Sequence, residues 1–202
     1  EVITSLVPNF DHATYYPNAK DVLIKLIADK KTGKLLGGQA IGKGDTIKRI
    51  DVLATAITYG ATIESLANTD LAYAPPYNSA MDPLHQAANV IRNKAGGIAP
   101  SLTMQQVKEK IDKKEDFILL DVRSVIEWKA QYIPAPQAVL IPLPELRQRW
   151  DELPQDKEIV IFCRTSARAY QAQRILLGLG FTDVKFMDGS ISAWPYETAS
   201  EE

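Results

Sequence analysis

The sequence has few of the residues that form cross-links and metal centres. Cysteine occurs once and histidine twice among 202 residues, which excludes an internal disulfide and a cysteine-rich zinc site. We therefore expect no metal centre. Sparing use of cysteine suits a reducing compartment, so the sequence predicts a cytoplasmic protein.

The chain also lacks a basic surplus and a long apolar run. Its formal net charge of −2 disfavours a nucleic-acid partner, and no apolar run approaches the roughly 18 residues of a membrane span. The first ten residues, EVITSLVPNF, do not resemble a signal peptide. They also lack an initiator methionine, so we expect the chain to be a piece of a longer protein.

A short segment with two adjacent glycines, KAGGIAP at 94–100, divides the chain. It predicts a first domain at 1–93, a linker at 94–98 and a second domain at 99–198. In the first domain, apolar segments beginning at Asp21 and Lys34 predict a hairpin. Helical spacing before Gly60 and an N-cap at Asp82 predict two helices, which makes this domain α+β.

The second domain alternates short apolar strands with helices. Thr103 and Ser124 each begin a capping box, and another helix is predicted at 166–179. Strands this apolar predict an α/β fold with a parallel sheet covered by helices on both faces. The predicted strands are FILLDV from Phe117, AVLIP from Ala138, EIVIFC from Glu158 and VKFM from Val184.

The single cysteine, Cys163, stands at the end of a predicted strand, where ligands of parallel sheets bind. The following turn, the helix dipole, Arg164 and Arg168 all favour a thiolate that could attack sulfane sulfur and hold it as a persulfide. An inert buried cysteine is the alternative. Four residues separate Cys163 from Arg168, one fewer than in the phosphate loop of cysteine phosphatases, which disfavours a phosphatase.

Residues 99–198 resemble single-domain rhodaneses. The resemblance implies a persulfide on Cys163, with Arg164 and Arg168 as further catalytic residues. It also implies a persulfide- and anion-binding loop formed by Thr165, Ser166 and Ala167. The matching blocks are LLDVR at 119–123, EW at 127–128, IP at 133–134, IPL at 141–143, LPQDK at 153–157, CRTSAR at 163–168, GF at 180–181 and AW at 193–194.

Three departures from the rhodanese pattern leave an alternative function open. The family's GHIPGA run is QYIPAP at 131–136, a loop position often held by glycine is Ser166, and a position often held by serine is Ala169. A serine forced into a glycine-like φ would strain the loop. The alternative is a non-catalytic dimerisation or binding module with a degenerate rhodanese loop.

Residues 1–93 resemble the dimerisation domain of pyridine nucleotide-disulfide oxidoreductases of the coenzyme A-disulfide reductase branch, truncated at the N-terminus. This resemblance implies a homodimer through 1–93 and places Tyr15 and Tyr73 at a coenzyme A site. The four blocks that carry it are HATYYP at 12–17, GGQAIG at 37–42, KRIDVLA at 48–54 and LAYAPPY at 71–77.

Together the two resemblances predict the C-terminal part of a coenzyme A-disulfide or persulfide reductase. They imply FAD, NAD(P)H and coenzyme A for the full-length parent. No Gly-x-Gly-x-x-Gly motif follows a predicted strand, so we expect this chain alone to bind no cofactor. The expected sulfur compounds are thiosulfate, polysulfide and coenzyme A persulfide.

Overall fold

A computed structural model describes residues 1–201 as two compact units, with the boundary between Ile98 and Ala99. The helix before this boundary continues through Ala95, so the first residues of the predicted linker are helical. Within the described residues, no helix is both long enough and apolar enough to cross a bilayer. Those residues also contain no cluster of three or more acidic, histidine or cysteine side chains suited to a metal ion.

The first unit is an antiparallel three-stranded sheet in the order β1-β2-β3, with three helices. The predicted hairpin is confirmed as β2 and β3, and both predicted helices are present. The elements are β1 (Val2–Phe10), β2 (Asp21–Asp29), β3 (Leu35–Gly42), α1 (Ile47–Thr58), α2 (Ile63–Ala67) and α3 (Pro83–Ala95).

Strand β1 was not predicted from the sequence. Its buried residues include a serine: Ser5 is 1% exposed and donates its hydroxyl to the carbonyl of Ala87 in α3. Pro8 lies in the same strand, which is tolerated because β1 pairs on one side with β2 and forms an edge of this sheet. Because a polar residue lies on the buried face and a proline lies within the strand, the sequence does not show the alternation of apolar and polar residues that is typical of a half-buried strand.

The core of the first unit lies between the sheet and its helices. Ile24 and Leu26 of β2 pack with Leu53 of α1 and with apolar residues of α3. A Cβ atom on Gly38 of β3 would lie 2.5 Å from the Leu53 side chain and 2.6 Å from the Lys25 carbonyl. Glycine at this position therefore allows α1 to pack closely on the sheet.

The second unit contains a five-stranded sheet in the order β4-β8-β7-β5-β6, and every adjacent pair is parallel. The predicted parallel sheet and the capping boxes at Thr103 and Ser124 are confirmed. The elements are β4 (Ser101–Leu102), α4 (Met104–Asp112), β5 (Phe117–Asp121), α5 (Val125–Ala130), β6 (Ala138–Leu140), α6 (Leu146–Arg149), β7 (Glu158–Phe162), α7 (Ala167–Gly178) and β8 (Val184–Met187), with 3₁₀ turns at Trp150–Glu152 and Ile191–Ala193.

Neighbouring residues of the central strands pack into two different clusters. Ile161 belongs to a cluster that also contains Leu176 of α7. Phe162, the next residue, belongs to one that contains Val107 of α4. Alternating side chains point to opposite faces of a strand, so the strand that leads to Cys163 is held by apolar packing in two directions.

Candidate functional site

Cys163 directly follows β7 and is 1% exposed. The segment after β8 holds the backbone at Cys163 and at the next residue: Ile191 donates its N–H to the Cys163 carbonyl and Ser192 to the Arg164 carbonyl, both at 3.1 Å. The chain's single thiol is thus fixed at the carboxyl end of the parallel sheet, where such folds bind ligands.

Ser166 adopts the glycine-like conformation that the sequence predicts, with φ of 72°. Its hydroxyl lies 3.0 Å from the Met187 carbonyl, to which it donates, and 3.1 Å from the Ser190 hydroxyl. Both contacts tie the loop to the end of β8. The strain of a left-handed serine is therefore offset by hydrogen bonds that glycine could not make.

Ser190 is a site residue that the sequence did not reveal. It is fully buried, has φ of 50°, and its Oγ accepts the N–H of Cys163 at 3.1 Å. The same hydroxyl lies 3.9 Å from Sγ of Cys163, toward which it can donate. Ser190 thus contacts both the backbone and the sulfur of Cys163, and a serine 27 positions away in the sequence gives no signal of this role.

Helix α7 begins directly after this loop. Ser166 is its N-cap residue but makes no side-chain capping bond, because its hydroxyl is directed to β8. An uncapped first turn has amide groups available for an anion, and the helix dipole adds positive potential there. Ala167 is the first helical residue and is exposed, and Thr165 is half-buried.

Arg168 forms a two-pronged ion pair with Glu127 of α5, at 2.8 and 2.7 Å. The hydrogen bond from Arg168 is the main reason that the pKa of Glu127 falls to about 2. Glu127 raises the pKa of Arg168 in turn, and Cys163 makes a smaller contribution in the same direction. Arg168 therefore interacts with both Glu127 and Cys163, whereas Arg164 is exposed.

The DVR segment, which begins at the last residue of β5, helps to hold Glu127 beside the loop. Arg123 is buried with Asp121, and its guanidinium donates to that carboxylate at distances down to 2.6 Å. Burial raises the pKa of Asp121, and the bonds from Arg123 act against that effect. Arg123 also donates to the Gln131 carbonyl at 2.7 Å, just beyond the end of α5. The pair anchors α5, and the Ser124 capping box fixes Glu127 on it.

In the first unit the structure brings together the two predicted tyrosines. The hydroxyls of Tyr15 and Tyr73 lie 2.8 Å apart, and the side chains are 74% and 49% exposed. The hydrogen bond with Tyr73 raises the pKa of Tyr15. Two hydroxyls carry two hydrogens and share one of them in their mutual bond, so the pair retains an O–H that can donate to a ligand.

A buried arginine links the loops that carry these tyrosines. Arg49 is 1% exposed, donates to the Asp11 carbonyl beside the Tyr15 loop, and donates to Asn78 Oδ1 at 3.1 Å. Asn78 in turn donates to the Ala72 carbonyl, next to Tyr73, at 3.2 Å. The tyrosine pair therefore rests on a network centred on Arg49.

Comparison with known proteins assigns both units. Residues 1–85 match the pyridine nucleotide-disulphide oxidoreductase dimerisation domain, and residues 103–197 match the rhodanese-like domain. A sulfurtransferase of Allochromatium vinosum is 33% identical over 90 residues, which is 45% of this chain and 82% of that protein. The chain spans about a fifth of the length of the curated coenzyme A-dependent NAD(P)H reductases that it matches.

Two solved structures match nearly the whole chain. Reduced CoADR-RHD of Bacillus anthracis is 38% identical with a TM-score of 0.89, and an NAD-dependent persulfide reductase from A. fulgidus is 42% identical with a TM-score of 0.86. Each alignment covers 96% of this chain and 34% of the other. The chain therefore joins a dimerisation domain of the pyridine nucleotide-disulphide oxidoreductase family to a rhodanese-like domain, and both solved structures align with it across that junction.

Proposed function

We propose that the second unit carries sulfane sulfur as a persulfide on Cys163, within a coenzyme A-disulfide or persulfide reductase that uses FAD and NAD(P)H. The observation that supports this most strongly is the place of Cys163, at the carboxyl end of β7 and before the uncapped N-terminus of α7. A sulfur anion at this position meets amide groups, the helix dipole and Arg168.

The transfer follows from the chemistry of a thiolate. Sγ of Cys163 attacks the outer sulfur of the donor, the new S–S bond forms, and the donor's own S–S bond breaks. The leaving group is sulfite from thiosulfate, or a thiolate from coenzyme A persulfide. The terminal sulfur of the persulfide then bears the negative charge, which the amides of Thr165, Ser166 and Ala167 would bind together with Arg168.

For the first unit we propose a homodimer through residues 1–93, with Tyr15 and Tyr73 at a coenzyme A site. Their paired hydroxyls, 2.8 Å apart and exposed, suit a hydrogen bond or proton donation to a coenzyme A thiolate as it leaves a disulfide. In the whole enzyme, FAD and NAD(P)H would supply the electrons for this reduction.

Sedimentation of residues 1–97 and 98–202 tests the dimer. Each piece contains its own buried core, so both are expected to fold. The first piece should sediment as a dimer and the second as a monomer. If only the second piece dimerised, the interface would lie on the second unit, and the proposed dimer through residues 1–93 would be wrong.

The intact mass after incubation with thiosulfate or polysulfide tests the persulfide. The wild-type chain should gain the mass of one sulfur, and Cys163→Ser should gain none. Ser192→Ala, which removes an exposed hydroxyl nearby, should gain sulfur like the wild type. Sulfur uptake by Cys163→Ser would contradict the assignment. If the wild type gains no sulfur, the second unit is a non-catalytic module. Three features support that alternative: the burial of Cys163 and the departures from the rhodanese pattern at Ser166 and Ala169.

A further inference from the structure

The carboxylate of Glu127 is held in place by four donors. Arg168 donates to both of its oxygens, while the backbone N–H and the hydroxyl of Ser124 donate to Oε2 at 3.0 and 3.1 Å. Because all four bonds favour the charged form, this carboxylate stays ionised across the pH range in which a thiolate transfers sulfur.

The ion pair between Glu127 and Arg168 lowers the net positive charge that a sulfur donor encounters at the loop. Arg168 is the loop arginine that interacts with Cys163, and its charge is compensated by Glu127 before any donor arrives. Arg164 remains exposed. With Cys163 as a thiolate, the two arginines are balanced by two negative groups, so the loop offers little net attraction to a further anion.

We infer that Glu127 is a specificity-determining residue. It disfavours dianionic sulfur donors such as thiosulfate and favours the persulfides of thiols that carry no charged group close to the sulfur. The inference rests on the proposed persulfide function of Cys163. It names the class of donor that this site takes.

The two classes of donor differ in charge through the whole step. Thiosulfate brings two negative charges, and sulfite leaves with two when the donor's S–S bond breaks and the Cys163 S–S bond forms. An alkyl hydropersulfide brings at most one charge and leaves as a thiolate, with its proton on the new persulfide or in solvent. Repulsion from the fixed Glu127 carboxylate therefore acts more strongly on thiosulfate, both on entry and on departure.

The first test compares two donors, thiosulfate and pantetheine hydropersulfide, by the rate of mass gain on Cys163. Glu127→Gln should raise the ratio of kcat/KM for thiosulfate to that for pantetheine hydropersulfide by about tenfold. Glu127→Asp retains the charge and should keep the wild-type ratio. Glu109→Gln, an exposed site on α4, makes the same change in net charge and should also keep it. An unchanged ratio in Glu127→Gln, or an equal loss for both donors, would overturn the inference.

The second test uses alkylation, and its first comparison is made on the wild type. Iodoacetate and iodoacetamide have similar size and differ by one negative charge. On the wild type, iodoacetate should modify Cys163 no faster than iodoacetamide, and Glu127→Gln should raise the iodoacetate-to-iodoacetamide ratio by about tenfold. Faster modification of the wild type by iodoacetate would refute the role of Glu127. If neither donor adds sulfur to the wild type, the persulfide function fails, and the alkylation ratio still decides the charge effect by itself.

Discussion

The hydroxyls of Tyr15 and Tyr73 lie 2.8 Å apart although 58 positions separate these residues in the chain. Each stands on a loop rather than on a strand or helix. The loops are joined where Ala13 donates its N–H to the Asn78 carbonyl at 3.2 Å. Because the phenol groups are exposed, loop positions rather than core packing set the geometry of the pair.

Removing one hydroxyl of this pair should change the titration of the other. Tyr73→Phe deletes the hydrogen bond that raises the pKa of Tyr15, so the Tyr15 phenol should ionise at lower pH than in the wild type. NMR titration of ring-labelled tyrosine measures this directly. Tyr59→Phe, at an 85% exposed position, is the matched control and should leave Tyr15 unchanged.

The same substitution separates the two proposed activities in a full-length reductase. Tyr73→Phe should slow the reduction of coenzyme A disulfide while sulfur uptake at Cys163 continues at the wild-type rate. The reason is that the lost O–H serves a leaving thiolate at the first unit only. If Tyr73→Phe impaired both activities equally, or impaired neither of them, Tyr73 would be a structural residue.

The two loop arginines should differ in importance. Arg168 interacts with Cys163 and Glu127, whereas Arg164 is exposed. Arg168→Ala removes the nearby positive charge and leaves the Glu127 carboxylate uncompensated, so Cys163 should take up sulfur from polysulfide more slowly, as measured by the rate of mass gain. Arg164→Ala should slow this uptake less. Equal rates for the two variants would argue against a special role for Arg168.

Ser190 should affect the reactivity of Cys163 and the stability of the loop in separable ways. Ser190→Ala and Ser190→Gly both remove the acceptor of the Cys163 N–H and should slow sulfur uptake by up to about tenfold. Glycine tolerates a φ of 50° better than alanine, so Ser190→Gly should be more stable by about 1 kcal/mol. Urea unfolding followed by tryptophan fluorescence measures the difference, and equal stabilities would indicate no strain.

Local signals predicted much of the second unit. The capping boxes at Thr103 and Ser124 and the strand before Cys163 follow from short-range rules that the structure satisfies. The glycine-like φ of Ser166 was instead expected from the rhodanese resemblance, in which glycine often holds this position. Contacts between distant residues were not predictable in this way. Ser190 reaches Cys163, and Arg168 reaches Glu127 across 41 positions, because the parallel sheet brings loop ends together.

The Glu127–Arg168 pair should make the second unit sensitive to acid. The pKa of Glu127 is lowered to about 2, so its contribution to stability is present above its ordinary pKa and is lost as the pH falls from about 5 toward 2. For this half-exposed pair, solvent screening reduces the contribution to about 1 kcal/mol. Glu127→Gln should remove that part of the pH dependence, as measured by urea unfolding at several pH values. A variant with the wild-type pH dependence would contradict the pair's role.

Arg49 should be among the most sensitive positions of the first unit. Its guanidinium is 3.0 Å from Asp82, whose side chain is 2% exposed and also caps α3 by accepting the Leu84 N–H. Arg49→Met would leave this carboxylate buried without its charge partner, at a cost of about 3–5 kcal/mol in the free energy of unfolding. Arg92→Met removes an exposed arginine that pairs with Glu64 and should cost less than about 1 kcal/mol.

A double-mutant cycle distinguishes the loss of this charge pair from the loss of packing. If the unpaired Asp82 charge causes the damage, Arg49→Met combined with Asp82→Asn should be more stable than the sum of the two single losses predicts. Far-UV circular dichroism during urea unfolding reports both units, whereas tryptophan fluorescence reports only the second, where all three tryptophans lie; the first unit's transition is the one that circular dichroism detects and fluorescence does not. Strict additivity would mean that Arg49 stabilises the tyrosine loops through its contacts to Asp11 and Asn78, independently of Asp82.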